Sequence, residues 1–135
     1  MSSEVMRVAV TCGGYSGEAD ISRKSAAMVV KHMDRARFAP TLVHIDRDGW
    51  FAETADGSRF PVDKGDFAWT DASGSRHGFD AVFEMVHGTP GEDGRLSAYF
   101  ELIGLPYTAS QPRTLAIGHH KAWTTALLAR LGHPV

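Results

Sequence analysis

Cysteine is almost absent from this chain of 135 residues, with Cys12 as its one example. No internal disulfide can form, and a lone thiol in an apolar run reads as a buried group of a reducing compartment, so the cytoplasm is the expected location. Long hydrophobic runs are missing as well. No stretch approaches the roughly 20 apolar residues of a membrane span, and the opening MSSEVMRVAV has no charged segment followed by a long apolar one, so secretion is not supported. Charge of one sign is not in excess. With 14 Lys+Arg against 16 Asp+Glu the net charge is -2, which gives no basic field to displace counterions from DNA or RNA, and a nucleic-acid partner is not expected. Internal repeats and low-complexity tracts are lacking too. What is present, 43% hydrophobic and 22% charged residues, is the composition of an ordinary globular chain about one domain long.

The order of elements is readable along the chain. Residues 6–11, MRVAVT, are short and β-branched and close on Cys12-Gly13-Gly14, the pattern of a buried strand entering a tight loop. From Asp20, a candidate N-cap, Ile21, Ser25, Met28, Val29, His32 and Met33 recur at helical spacing. Residues 40–45 (PTLVHI) predict a second strand, and 49–52 with 59–62 flank a turn at 55–58, predicting a small hairpin. Residues 79–85 (FDAVFEM) predict a strand ending at His87-Gly88, and 96–103 a helix after Asp93, stopped by Gly104 and Pro106. The stretches 55–59 and 71–78 read as surface loops. After Gln111-Pro112-Arg113 one helix is expected through Leu115, Trp123, Leu127, Leu128 and Leu131, stopping at Gly132 and Pro134. Strands alternating with helices predict an α/β fold of three layers, Rossmann-like, with a mostly parallel sheet, helices on both faces and a small hairpin insertion. In such sheets ligands gather at the loops leaving the carboxyl ends of strands, here 13–19 and 87–94.

Those loops carry the polar residues of interest. GGYSG over 13–17 could cradle an anion at a helix start or serve as a plain tight turn; Tyr15 breaks the dinucleotide pattern and no Walker lysine follows. Glu18 at its mouth could hold an ammonium group, or complement the helix dipole as a solvated acid. Ser22 and Ser25 are candidate ligand contacts. HGTPGEDG over 87–94 concentrates a histidine, two acids and three glycines. His87 could donate to a carboxylate or phosphoryl oxygen, with Glu92 and Asp93 fixing the loop; the alternative is a glycine turn with a capping acid. No paired His or Cys stands at ligand spacing, so no metal ligand is assigned. Of His119-His120-Lys121, which point about 100° apart on a helix, Lys121 is the candidate for a phosphate. Trp50, Trp69 and Trp123 share no spacing and read as packing residues, and Cys12 lacks an activating base beside it in sequence, which argues against a nucleophile.

Taken together, VAVTCGGYSGEADIS over 8–22, HGTPGEDGRL over 87–96, GLPYTAS over 104–110 and the lysine that follows make this chain resemble the N-terminal region of D-alanine:D-alanine ligases over roughly residues 6–135. The resemblance implies the pre-ATP-grasp domain of a three-part enzyme, with residues 1–118 as the substrate-side domain and 119–135 as a helix leading into an ATP-grasp domain supplied in cis or in trans. Such enzymes use ATP and Mg²⁺ to phosphorylate the carboxylate of one D-alanine, and the amine of a second attacks the acyl phosphate to give the dipeptide of peptidoglycan. Catalytic roles are implied for Glu18 and His87. Glu18 would anchor the first ammonium, Ile21 line the methyl pocket, Ser22 and Gly88 contact the substrate, His87 lie near its carboxylate, and Lys121 stand on the ATP side. The chain departs from the family pattern at His120, where an acid usually precedes the lysine, and at Gln111-Pro112. A homodimer is implied, as is exposed apolar surface at Trp123, Leu127, Leu128 and Leu131, and a fragment inactive by itself. The reading from another class is a stand-alone small-molecule binding or interaction module.

Overall fold

A computed structural model describes residues 4–135. Alternation along β1 (Met6–Gly13) sends Val8, Val10 and Cys12 to one face and Ala9 and Thr11 to the other, and all five are buried. On the first face lies α1 (Ala19–His32), whose Ala26, Val29 and Val30 pack with Val8, Val10 and Cys12. On the second lies α2 (Arg95–Ile103), whose Leu96 and Phe100 join Ala9 and Val43 in the larger core cluster. The result is three layers, helix on sheet on helix, with the central strand buried on both sides.

The remaining strands are β2 (Phe38–Asp46), β3 (Gly49–Glu53), β4 (Arg59–Asp63), β5 (Ala68–Thr70), β6 (Arg76–His77) and β7 (Ala81–Glu84). They form one sheet in the order β6-β5-β4-β3-β2-β1-β7. β1 pairs in parallel with β2 and with β7; the other four pairings are antiparallel. The sheet is therefore mixed where the sequence predicts a mostly parallel one. Only Arg47 and Asp48 separate β2 from β3, and so short a link permits only an antiparallel return, because a parallel crossover takes a dozen or more residues.

The predicted hairpin is present as β3 and β4 and is extended by two strands that sequence alone does not predict. In 71–78, expected to be loop, Asp71 Oδ1 accepts the amides of Ser73 (2.8 Å) and Ser75 (3.0 Å), but Arg76 and His77 then pair with β5. The curl brings Phe67, fully buried, edge-on to Trp50 and Phe100 at 5.9 and 5.1 Å. Trp50 and Trp69 are core residues, as expected, and Trp123 is exposed. At the far edge Arg7 clamps Asp80 with Nε and Nη2 at 3.1 and 2.6 Å, tying the start of β1 to the approach to β7.

Two helix boundaries differ from expectation. Glu18, not Asp20, occupies the N-cap position of α1, without a side-chain bond; Asp20 sits in the first turn, paired with Arg23 at 2.9 Å. That placement suits an acid near the positive end of the helix. The single terminal helix is broken into α3 (Pro112–His119) and α4 (Lys121–Arg130). His120 is extended between them; its Nδ1 accepts the Trp123 amide at 3.4 Å and its ring stacks on that indole at 4.3 Å. No helix among the described residues is long and apolar enough to cross a membrane.

Candidate functional site

The parallel strands β1, β2 and β7 end at Gly13, Asp46 and Glu84, so the segments that follow them share one edge of the sheet. Backbone bonds sew them together. Gly14 N–H donates to the Ile45 carbonyl at 2.8 Å, and Tyr15 N–H to the Thr89 carbonyl at 2.7 Å. Ser16 Oγ donates to the His87 carbonyl at 3.2 Å and accepts the Glu18 amide at 3.2 Å. Gly88 has φ +66°, and a Cβ there would lie 2.7 Å from Ser16 Oγ and 3.8 Å from Glu18 Oε2. Only glycine allows this close approach in that backbone conformation. The two loops singled out in the sequence therefore touch, at Ser16 and Glu18 on one side and Gly88 on the other.

Glu18 is exposed at this junction, Ile21 is exposed one turn into α1, and His87 is half-buried beside Gly88. An exposed carboxylate at such a junction is chemically suited to hold an ammonium group. Ser22 stands elsewhere. It is fully buried, its hydroxyl accepting the Gly13 amide at 3.0 Å and donating to the Met85 carbonyl at 2.6 Å. Both bonds tie the end of β1 to the start of the second loop, so the Ser22 hydroxyl holds the loops in place. Gly88 is buried and forms the wall beneath Glu18.

Lys121 is not brought to this junction by any hydrogen bond or ion pair among the described residues; it opens α4 and is exposed. The element that does approach is α3. A groove of about 370 Å³ is lined by Glu92 of the second loop and by Thr114, Leu115, Gly118 and His119. Among the described residues no group of three or more His, Cys, Asp or Glu side chains is placed to hold a metal ion.

Three features of this edge escape a sequence reading. Tyr15 is a clamp: its hydroxyl accepts the Trp50 indole N–H at 3.3 Å and the Arg47 guanidinium lies 4.9 Å over its ring. Cys12, lacking a base in sequence, has one in space, since its Sγ stands 3.5 Å from His44 Nδ1 while Nε2 meets Glu53 Oε2 at 2.8 Å. Burial pushes the Cys12 thiol up to about 12 and encloses it fully, which disfavours a nucleophilic thiolate there. Glu84, an acid at the end of the apolar run 81–83, is the third. Burial pushes its carboxyl up to about 7. A lone acid inside an apolar strand is the signal that could have marked it.

Known proteins resemble the chain over nearly its whole length. The sequence model of the family described as "D-ala D-ala ligase N-terminus" matches residues 7–110. The D-alanine--D-alanine ligase of Flavobacterium johnsoniae is 38% identical over 125 residues, which are 93% of this chain and 38% of that protein. The corresponding protein of Porphyromonas gingivalis W83 is likewise 38% identical, over 93% of this chain and 38% of its own length. Among solved structures, the D-alanine-D-alanine ligase from Coxiella burnetii superposes with a TM-score of 0.85 at 33% identity, covering 96% of this chain and 43% of that one. D-alanyl-alanine synthetase A from Vibrio cholerae gives 0.84 at 26% identity, covering 99% and 39%. The chain thus spans about two fifths of the length of the relatives it matches, and it belongs to the family of D-alanine–D-alanine ligase N-terminal domains.

Proposed function

We propose that this chain is the substrate-side part of a cytoplasmic, ATP-dependent D-alanine:D-alanine ligase, and that its two-loop junction binds the first D-alanine. The observation that carries the reading is the meeting of Glu18 with Gly88, 3.8 Å from the point a Cβ would occupy, at the carboxyl edge of the parallel strands. Glu18 accepts the ammonium in a charge-assisted hydrogen bond, Ile21 meets the methyl group, and His87 donates toward the carboxylate. A carboxylate on its way to an acyl phosphate gathers negative charge, and N–H donors around it stabilise that charge. ATP and Mg²⁺ supply the phosphoryl group and its charge neutralisation when bound; their principal ligands belong to the ATP-grasp part of a complete ligase, with Lys121 at the near side of it. The amine of the second D-alanine would then displace inorganic phosphate from the activated acyl carbon, the C–O bond to phosphate breaking as the C–N bond forms and the amine giving up a proton, to yield the dipeptide precursor of peptidoglycan. Residues 1–118 would form the substrate domain and 119–135 the lead into the ATP-grasp domain, and the chain alone would be inactive.

Coupled phosphate release with ATP, Mg²⁺ and D-alanine tests this, run on the 135-residue chain and on the longest product of its reading frame. The proposal expects activity in the longer protein only. Release by the 135-residue chain overturns its inactivity, and no release from either favours a binding module that keeps the fold.

A further inference from the structure

We propose that Glu84 is a positioning residue of the two-loop site, a half-buried carboxyl beneath the second loop that fixes the turn carrying His87 and Gly88. The inference rests on the ligase reading for the identity of the ligand and on this chain's own geometry for the rest.

Glu84 is the last residue of β7 and lies beside Thr11 in the parallel register. Its side chain turns beneath the second loop, where Oε1 accepts the Val86 amide at 2.7 Å, immediately before His87. The other limb of the loop closes on the same oxygen. A Cβ at Gly91 would stand 2.9 Å from Oε1 and would collide with the Val86 carbonyl, so glycine alone lets both limbs meet over the carboxyl. The backbone around it is pinned as well: Glu84 N–H donates to Thr108 Oγ1 at 3.1 Å and Met85 N–H to Thr11 Oγ1 at 3.4 Å. From β1 and from the 104–110 segment the neighbours are thus hydroxyls, and the charged group acting on the carboxyl is Glu92 of the same loop.

Burial, with a smaller push from the charge of Glu92, lifts ionisation of the carboxyl to about 7 against the hold of the Val86 amide and the Thr11 hydroxyl. An ionised acceptor makes the stronger bond to the Val86 amide, roughly twice that of a neutral one. The turn is therefore held most firmly once the proton has left. Stability runs the other way. A carboxyl whose ionisation is raised by folding favours the fold below its unfolded pKa, about 4.3, and that contribution is lost as pH rises through about 7.

The test is an NMR titration of the 135-residue chain from pH 5 to 9, following the Glu84 carboxyl carbon and the Val86 and Gly91 amides, with Glu84→Gln alongside. The inference expects the three signals to titrate together near 7, the amide titration to vanish in Glu84→Gln, and the melting temperature of the parent to fall relative to the variant as pH rises. In the complete ligase KM for the first D-alanine rises several-fold below pH 7 in the parent and not in the variant, with kcat moving less. Should Glu84→Gln not fold, the parent titration decides alone. A Glu84 carboxyl titrating in the ordinary carboxylate range, with Val86 and Gly91 amides that do not follow it, overturns the inference. Titration near 7 in a protein without ligase activity would leave the positioning role standing and overturn only the ligase reading.

Discussion

α2 and α4 are almost equal in length, nine and ten residues, and both carry apolar residues at helical spacing, yet α2 buries Leu96, Ser97 and Phe100 while α4 buries none. Leu96 and Phe100 have a sheet to lie on. Trp123, Leu127 and Leu131 follow one another at i, i+4 and i+8 along one stripe, with Trp123 and Leu131 59% and 65% exposed. Spacing along a helix reports where the apolar side chains stand around it and is silent on whether another layer meets them. The same contrast separates the two ends of the chain: the loop junction at Glu18 and Gly88 is braced by α1, α2 and three strands, whereas Lys121 opens α4, which meets α3 but buries no residue.

The difference can be broken by substitution. Phe100→Ala should have the largest effect, a loss of about 3–5 kcal/mol in urea unfolding, since a fully buried ring against Phe67, Tyr99 and Tyr107 leaves a cavity. A loss below about 1 kcal/mol would mean that α2 is no better seated than α4. Ser22→Ala comes next, at about 1–3 kcal/mol, because the Gly13 amide and the Met85 carbonyl lose the buried hydroxyl that joins them. It should also disturb the amide signals of both loops; a variant as stable as the parent with unmoved loop signals would return Ser22 to the candidate ligand contacts. Leu127→Gln on α4 should change stability by less than about 0.5 kcal/mol, and a loss near that of Phe100→Ala would contradict the contrast.

Much of the fold was legible in the sequence. β1 is marked by a β-branched run closing on glycine, β7 by the run 79–85 ending at His87-Gly88, the β3–β4 hairpin by its turn residues, and α2 by Gly104 and Pro106 after it. The antiparallel half was legible in principle from the two-residue link at Arg47-Asp48 but was masked by the alternation of strands and helices elsewhere. β5 and β6, three and two residues long, are too short to carry a pattern. The break at His120 depends on one histidine accepting a backbone amide and stacking on Trp123, a local choice that helical spacing does not encode.

The site divides along a similar line. Glu18, His87 and Gly88 stood out as polar or glycine residues leaving strand ends, where a parallel arrangement gathers ligands. Ser22 stood out for the same reason but turns inward, and only the positions of Gly13 and Met85 reveal that. Glu84 carried a signal, a lone acid closing an apolar strand, but its raised ionisation was not legible, and neither was the Cys12–His44–Glu53 chain, because these properties come from burial and from neighbours distant in sequence.

The central claim is that the two loops together hold the first D-alanine, and Glu18→Gln in the complete enzyme tests it most directly. The substitution keeps the size of an exposed side chain and removes its charge, so the fold should be unchanged. Removing a charge-assisted contact of roughly 1.5–3 kcal/mol should raise KM for the first D-alanine by about 10- to 150-fold. An unchanged KM for both D-alanines, in a variant that melts with the parent, would contradict the account.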